Sequence, residues 1–267
     1  MTSILLHIGA PKCGSTYLQR ALLKNVQILR GTGIAYPHDG ARHPGNALSL
    51  LSQGASNLSN ILSQHRLLIL SHEDLFAQPG LAAPLYQAAA THDAHVRIAI
   101  FVRPFPEIIF GDYSQHVKQF GRTWSEGNRA FGGRDFRQVV LSRRKDFCIE
   151  TVVAAWSRRY PNWTIDVRPS REIKPFIGNQ LPSGLALDWN VPRALTNRSL
   201  PPQLCEEIVA QPDHLSANPE ALRSSNTPAE TDWTATHART QWIDRVFASS
   251  NAFLKTRFGI NNQSHLP

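Results

Sequence analysis

The sequence predicts an α/β protein, a single domain over residues 1–267 with a mostly parallel central sheet flanked by helices. Three observations predict it. Short apolar runs suited to buried strands recur at Ile4-Leu5-Leu6-His7-Ile8, Leu67-Leu68-Ile69-Leu70 and Val96 to Val102. The stretches between them carry a helical apolar rhythm. The first run passes through a glycine loop directly into such a helical stretch, Thr16 to Leu23. Strands alternating with helices imply parallel pairing and right-handed crossovers.

At 267 residues the chain can bury one substantial core. Its 42% hydrophobic and 18% charged residues exclude a disordered tail and suit a globular enzyme. A net charge of +8 favours an anionic ligand. No dense Lys/Arg stripe or recognisable binding module points to nucleic acid. The three cysteines, Cys13, Cys148 and Cys205, lie far apart and form no C-x-x-C pair, so neither zinc nor a disulfide framework is implied. There is no basic n-region before the first apolar run, and no window approaches the ~18–20 apolar residues of a membrane span. A cytoplasmic protein without an integral membrane segment is expected.

In order, Gly31-Thr32-Gly33 closes the first helix and Ile34-Ala35-Tyr36 is a short strand stopped by Pro37. A polar loop from His38 to Asn46 contains His43, and Ala47 to Leu62 reads as a helix. The strand at Leu67–Leu70 delivers Ser71-His72-Glu73-Asp74 at its C-terminal end, where open parallel sheets bind ligands. Leu81 to Thr91 is helical, and the strand Val96–Val102 ends in Arg103-Pro104-Phe105-Pro106, with a helix from about Pro106. Phe147 to Tyr160 is an amphipathic helix and Trp163 to Val167 the last strand. Thr234 to Phe258 reads as a final helix with Trp242, Val246, Phe253 and Leu254 in the core.

The loop after the first strand carries the chemistry. Strand, glycine loop and helix N-terminus gather backbone N–H groups and the positive end of a helix dipole at one point, which binds phosphate. Gly9 and Gly14 have the spacing of the nucleoside-triphosphate P-loop, but Ser15 stands where that loop places its lysine. The loop lysine is Lys12, after Pro11.

The segment Pro11-Lys12-Cys13-Gly14-Ser15-Thr16-Tyr17 resembles the 5′-phosphosulfate loop of sulfotransferases, which use 3′-phosphoadenosine-5′-phosphosulfate (PAPS). The resemblance implies that Lys12, Cys13, Gly14, Ser15 and Thr16 hold the 5′-phosphosulfate, and that Tyr17 stacks on adenine unless it is plain core. A second family signature, a strand ending in arginine that grips the 3′-phosphate, is matched by Ile98 to Arg103. A guanidinium offers phosphate a planar, bidentate grip. The serine that follows in the family falls on Gly111, a departure, and Ser114 lies one turn further along the same helical face. Gly33 to Pro37, Ser71 to Leu75, Trp156 before the strand at Ile165, and Asn197 to Leu200 are similar to a bacterial branch of the family.

The implied activity is transfer of a sulfuryl group from PAPS to a hydroxyl, or an amine, of a small-molecule, lipid or carbohydrate acceptor, with no metal and no nucleic acid. Such a reaction needs a general base. His43 and Glu73 are the candidates, with His43 favoured because imidazole titrates nearer neutrality and Glu73 able to act itself or to orient it. Against both stands the plain reading that His43 is an exposed loop residue and Glu73 caps the following helix. The basic run Arg122, Arg129, Arg134, Arg137, Arg143 and Arg144 covers the cofactor or an acidic acceptor, or is simply a solvated face. His116 and Lys118 on the next helix have an equally plain alternative, exposure. Two other functions fit part of the pattern: a P-loop nucleotide kinase or NTPase, and a sulfotransferase-like binding protein with impaired turnover.

Overall fold

The computed structural model describes residues 2–120, 136–192, 200, 205 and 233–264. The fold class is the expected one, an α/β arrangement around an all-parallel five-stranded sheet. The chain packs as two compact units, Met1–Val102 with Ile149–Thr196 and Arg103–Cys148 with Asn197–Pro267.

The first unit holds the sheet. Its strands are β1 (Ser3–His7), β2 (Ile34–Ala35), β3 (Leu67–Ser71), β4 (His95–Val102) and β5 (Thr164–Pro169), in the spatial order β2-β3-β1-β4-β5. The three inner strands are those with continuous apolar runs, as burial on both faces requires; β3 is buried along its whole length. The edges are the two-residue β2 and the half-exposed β5. Short edges limit unwanted strand pairing. From β1 the chain builds β2 and β3 on one side, then crosses to build β4 and β5 on the other. The C-terminal end of β1 is therefore a topological switch point, the place where such sheets leave a crevice.

The helices of this unit are α1 (Ser15–Lys24), α2 (Val26–Gly31), α3 (Ala47–Ser52), α4 (Ala55–Gln64), α5 (Ala83–Thr91), and, beyond the residues of the second unit, α8 (Ile149–Arg159) and α9 (Ile173–Gly178). Two expected single helices are each a pair. The helix from Thr16 breaks at Asn25, whose amide donates to the carbonyls of Ala21 at 2.8 Å and Asp188 at 2.9 Å. The helix over Ala47 to Leu62 breaks at Gly54, which adopts φ +86°, a left-handed conformation that suits glycine.

In the second unit, α6 (Phe105–Phe120), α7 (Phe136–Asp146), α10 (Trp233–Val246) and α11 (Ala248–Phe258) are described. The expected final helix is divided at Phe247, which is fully buried and stacks on Phe105 with ring centres 4.3 Å apart. Ile243, Phe247 and Leu254 form its buried face, while Trp242, Val246 and Phe253 are half-buried. The break shifts the helical phase, so one periodic pattern drawn through both halves finds Leu254 but misses Ile243 and Phe247. No helix among the described residues is long and apolar enough to cross a membrane.

Candidate functional site

The loop leaves β1 at Ile8 and enters α1 at Ser15. It turns by three left-handed residues, Gly9 (φ +44°), Lys12 (φ +63°) and Gly14 (φ +94°). Glycine is required at the first, since a Cβ on Gly9 would lie 2.5 Å from Ser15 Oγ. Lys12 is the exception, a non-glycine residue held where the backbone costs of order 1–2 kcal/mol. Gly14 is the N-cap of α1 and no side chain among the described residues caps the helix; its first turn also contains no acidic residue. The first-turn N–H groups and the positive helix end are thus left to an anion. Ser15 points the same way, because its hydroxyl is buried and finds no hydrogen-bond partner among the described residues. The Cys13 side chain is buried, which fits a small packing residue, and its backbone N–H donates to the Ala10 carbonyl at 3.3 Å. Tyr17 is half-buried; its hydroxyl donates to the Trp189 carbonyl at 3.0 Å and its ring stacks against Trp189. A neighbour within the same unit therefore takes up one side of the ring expected to meet adenine or core.

Beside the loop, the ends of β1 and β3 carry a polar cluster. His7 and Ser71 are register partners, which brings His7 Nδ1 within 2.8 Å of Ser71 Oγ. Gln19, one turn along α1 from Ser15, donates from its amide to Ser71 Oγ at 3.1 Å and to Glu73 Oε2 at 3.0 Å. His43 Nε2 lies 3.3 Å from Glu73 Oε1, and the His43 ring stacks on His72 at 4.4 Å. The two base candidates, remote in sequence, are thus one hydrogen-bonded pair. The His43 side chain is 45% exposed and that of Glu73 29%, so both can meet a substrate.

Asn46 builds the turn that carries His43. Beyond Leu68 the short β2 no longer covers the edge of β3. Asn46, fully buried, takes over: its amide donates to the Ile69 carbonyl at 3.0 Å and its oxygen accepts from Ser71 N–H at 2.9 Å. The side chain imitates a strand neighbour. Tyr36 adds a hydrogen bond to the Pro44 carbonyl at 2.8 Å, and Gly45 leaves no room for a Cβ, which would sit 2.7 Å from the Ser71 carbonyl oxygen.

The hydrogen bonds fix the state of His43. Its Nδ1 accepts the Gly45 N–H at 3.0 Å, so in the neutral ring the proton is on Nε2 and faces Glu73. Burial pushes the Glu73 carboxyl up, but the Gln19 amide, its own backbone N–H and the neighbouring His43 and His72 outweigh this and hold it below the usual carboxylate range. Burial pushes His72 down, with Glu73 opposing. Burial pushes Tyr36 up, and the Glu73 charge adds to it.

His7 is fully buried, and burial pushes it down to about 4 against the partial opposition of Glu73. Between about 4 and 6.5 the unfolded chain therefore binds a proton that the folded one refuses. Stability rises with pH across that window and is lost as pH falls through it, by on the order of 3 kcal/mol for this group. His7→Asn keeps a hydrogen-bonding atom near the Nδ1 position without a titrating ring. Urea midpoints at pH 7 and pH 4.5 should fall further on acidification for the wild type than for the variant. Equal falls would show that His7 does not carry the acid sensitivity.

The remaining candidates lie in the second unit. Arg103 directly follows β4 and is half-buried. Ser114 is fully buried and its hydroxyl accepts the Leu200 N–H, so packing takes up the group expected to reach phosphate. Of the basic run, Arg122, Arg129 and Arg134 lie outside the described residues. Arg143 binds Asp112 at 2.7 Å and Asp146 at 2.9 Å and donates to His116 at 2.7 Å, while Arg137 lies over the Trp242 ring. Those two arginines stitch helices together, and His116 belongs to the same network instead of being a bare surface group.

Sequence reasoning named His43, Glu73 and the loop but missed His7, Gln19, Asn46 and Gly45. Gln19 sits one turn after Ser15 on α1, a spacing that could have marked it. Among the described residues no group of three or more His, Cys, Asp and Glu is placed to hold a metal ion. Comparison with family models, curated proteins and solved structures returns no match.

Proposed function

We propose that the protein is a sulfotransferase of the PAPS-dependent family, moving a sulfuryl group from PAPS to a hydroxyl, or an amine, of a small-molecule, lipid or carbohydrate acceptor in the cytoplasm. One observation carries this reading. A helix N-terminus and a buried serine, both without a capping or hydrogen-bonding partner among the described residues, lie at the sheet's switch point, and the same helix reaches a half-exposed carboxylate through Gln19. The first feature suits a phosphate and the second an acceptor proton.

The loop N–H groups, with Ser15 and Thr16, hold the 5′-phosphate, and the family resemblance gives the 3′-phosphate to Arg103. In the reaction the acceptor oxygen forms a bond to sulfur while the bond from sulfur to the 5′-phosphate oxygen breaks. The electron pair leaves with adenosine 3′,5′-bisphosphate and the acceptor proton goes to a base. Lys12 offsets charge growing on the departing oxygen. His43 was the favoured base on intrinsic basicity, but its Nδ1 is occupied by Gly45 N–H and its Nε2 carries the proton shared with Glu73. That arrangement favours Glu73 as the proton acceptor, with His43 orienting it. Positioning and preorganised charge account for the rate, as in phosphoryl transfer.

The kinase reading lacks its lysine at Ser15. A binding protein with impaired turnover is favoured by one observation, that Gly111 occupies the serine position and Ser114 is buried against Leu200. Calorimetry separates these readings. Adenosine 3′,5′-bisphosphate should bind more tightly than ATP with magnesium, and Arg103→Ala should weaken it far more than it weakens adenosine 5′-phosphosulfate, which has no 3′-phosphate. A preference for ATP overturns the sulfotransferase reading. Equal weakening of both ligands makes Arg103 structural. Bisphosphate binding without PAPS turnover across a broad acceptor panel identifies the binding protein.

A further inference from the structure

We infer that Gln19 is a positioning residue for Glu73, fixing the carboxylate from the helix that begins at the phosphate loop; this rests on the reading of Glu73 as the base.

The geometry is restrictive. Gln19 is fully buried, and both amide hydrogens are used, on Ser71 Oγ at 3.1 Å and Glu73 Oε2 at 3.0 Å. Exchanging the amide's oxygen and nitrogen would set Oε1 against a carboxylate oxygen, so only one orientation is possible. Ser71 is itself held from two sides, by His7 Nδ1 at 2.8 Å and by Asn46 at its backbone N–H. Gly45 closes the remaining side, since a Cβ there would lie 2.9 Å from Gln19 Nε2. A single buried amide thus joins the first helix, the end of β3 and the turn that carries His43.

The amide is also poorly chosen for stability. Its Oε1 is buried with no hydrogen-bond partner among the described residues, a state that costs about 1–3 kcal/mol. Leucine or methionine would fill the same space without an orphan oxygen. A buried amide that leaves its oxygen without a partner among the described residues carries a local cost of the kind found at functional sites. The function here is the donor that Gln19 gives to Glu73. The other groups facing that carboxylate are His43 at 3.3 Å, the His72 ring stacked on His43, and the neighbouring Asp74, with His7 and Tyr36 coupled to it electrostatically. Gln19 donates to the carboxylate from a group that never titrates, so it holds the carboxylate ionised without adding charge near an anionic ligand.

The test is carbon-13 NMR of glutamate carboxyls in the full chain without nucleotide, with Glu73→Gln to assign the resonance. In Gln19→Leu, and in Gln19→Met as a second apolar variant, Glu73 should titrate at higher pH than in the wild type, with cooperative urea transitions at pH 7 showing that both variants are folded. A hydrogen bond to a charged group is worth roughly tenfold or more in the carboxylate-to-acid ratio at a given pH. The acid limb of the PAPS turnover profile should move with the resonance, cutting turnover roughly tenfold on that limb and little at alkaline pH, and adenosine 3′,5′-bisphosphate affinity should stay within about twofold. An unmoved Glu73 titration in both folded variants overturns the inference. A moved titration with an unmoved acid limb keeps Gln19's hold on Glu73 and overturns Glu73 as the base.

Discussion

Lys12→Ala is expected to lower the turnover of PAPS by roughly two to three orders of magnitude, with a much smaller effect on bisphosphate affinity. The charge that needs neutralising grows on the oxygen between phosphate and departing sulfate, so the ammonium acts on the transition state more than on the bound ground state. A preorganised donor in such a position is worth about 3–4 kcal/mol. The backbone supplies a second reason to single out this residue. Lys12 is held at φ +63°, and neither a β-branched nor an ordinary side chain sits there without strain. Lys12→Gly should relieve that strain and raise the thermal midpoint while losing turnover as the alanine variant does. Unchanged turnover in both variants would remove Lys12 from the reaction.

Glu73→Gln is expected to cost roughly two to four orders of magnitude in turnover, again with nucleotide affinity little changed. Glutamine preserves the shape and the contact with Gln19 but cannot take a proton. His43→Ala should cost less, roughly tenfold, because it removes an orienting donor and leaves the carboxylate in place. The pH dependence separates the two candidates independently of mutation. Glu73 is held below the usual carboxylate range by the Gln19 amide and the two histidines, against the upward push of burial, and its active form is the ionised one. Turnover with Glu73 as base should stay level through neutrality and fall only in the acid range. A rate that falls already through the histidine range, with activity lost in His43→Ala and kept in Glu73→Gln, would return the role to His43.

The strands were legible because each inner one is a run of apolar residues that needs burial on both faces. The loop after β1 was legible because glycine at positions 9 and 14 serves a local backbone requirement. His43 and Glu73 could be named because each ends or follows a strand on the ligand side of a parallel sheet. Their pairing was open as one of two options, and which holds depends on Asn46 extending the edge of β3 where β2 stops. Gln19 was hidden for the same reason: its partners, Ser71 and Glu73, come from another element. The breaks at Asn25 and Phe247 were missed because the partners that reward them, Asp188 and Phe105, are distant in the chain. Local pattern shows where a strand or turn must be, and non-local hydrogen bonds decide how polar side chains at their ends combine.

The central claim, that the loop after β1 receives the 5′-phosphate of a PAPS-derived nucleotide, is tested most directly by a crystal structure with adenosine 3′,5′-bisphosphate. The account predicts the 5′-phosphate on the N–H groups of the loop and the first turn of α1, with the Ser15 hydroxyl, which has no hydrogen-bond partner among the described residues, donating to it. A nucleotide bound elsewhere, with the N-terminus of α1 still uncapped and Ser15 still unpartnered, would contradict it.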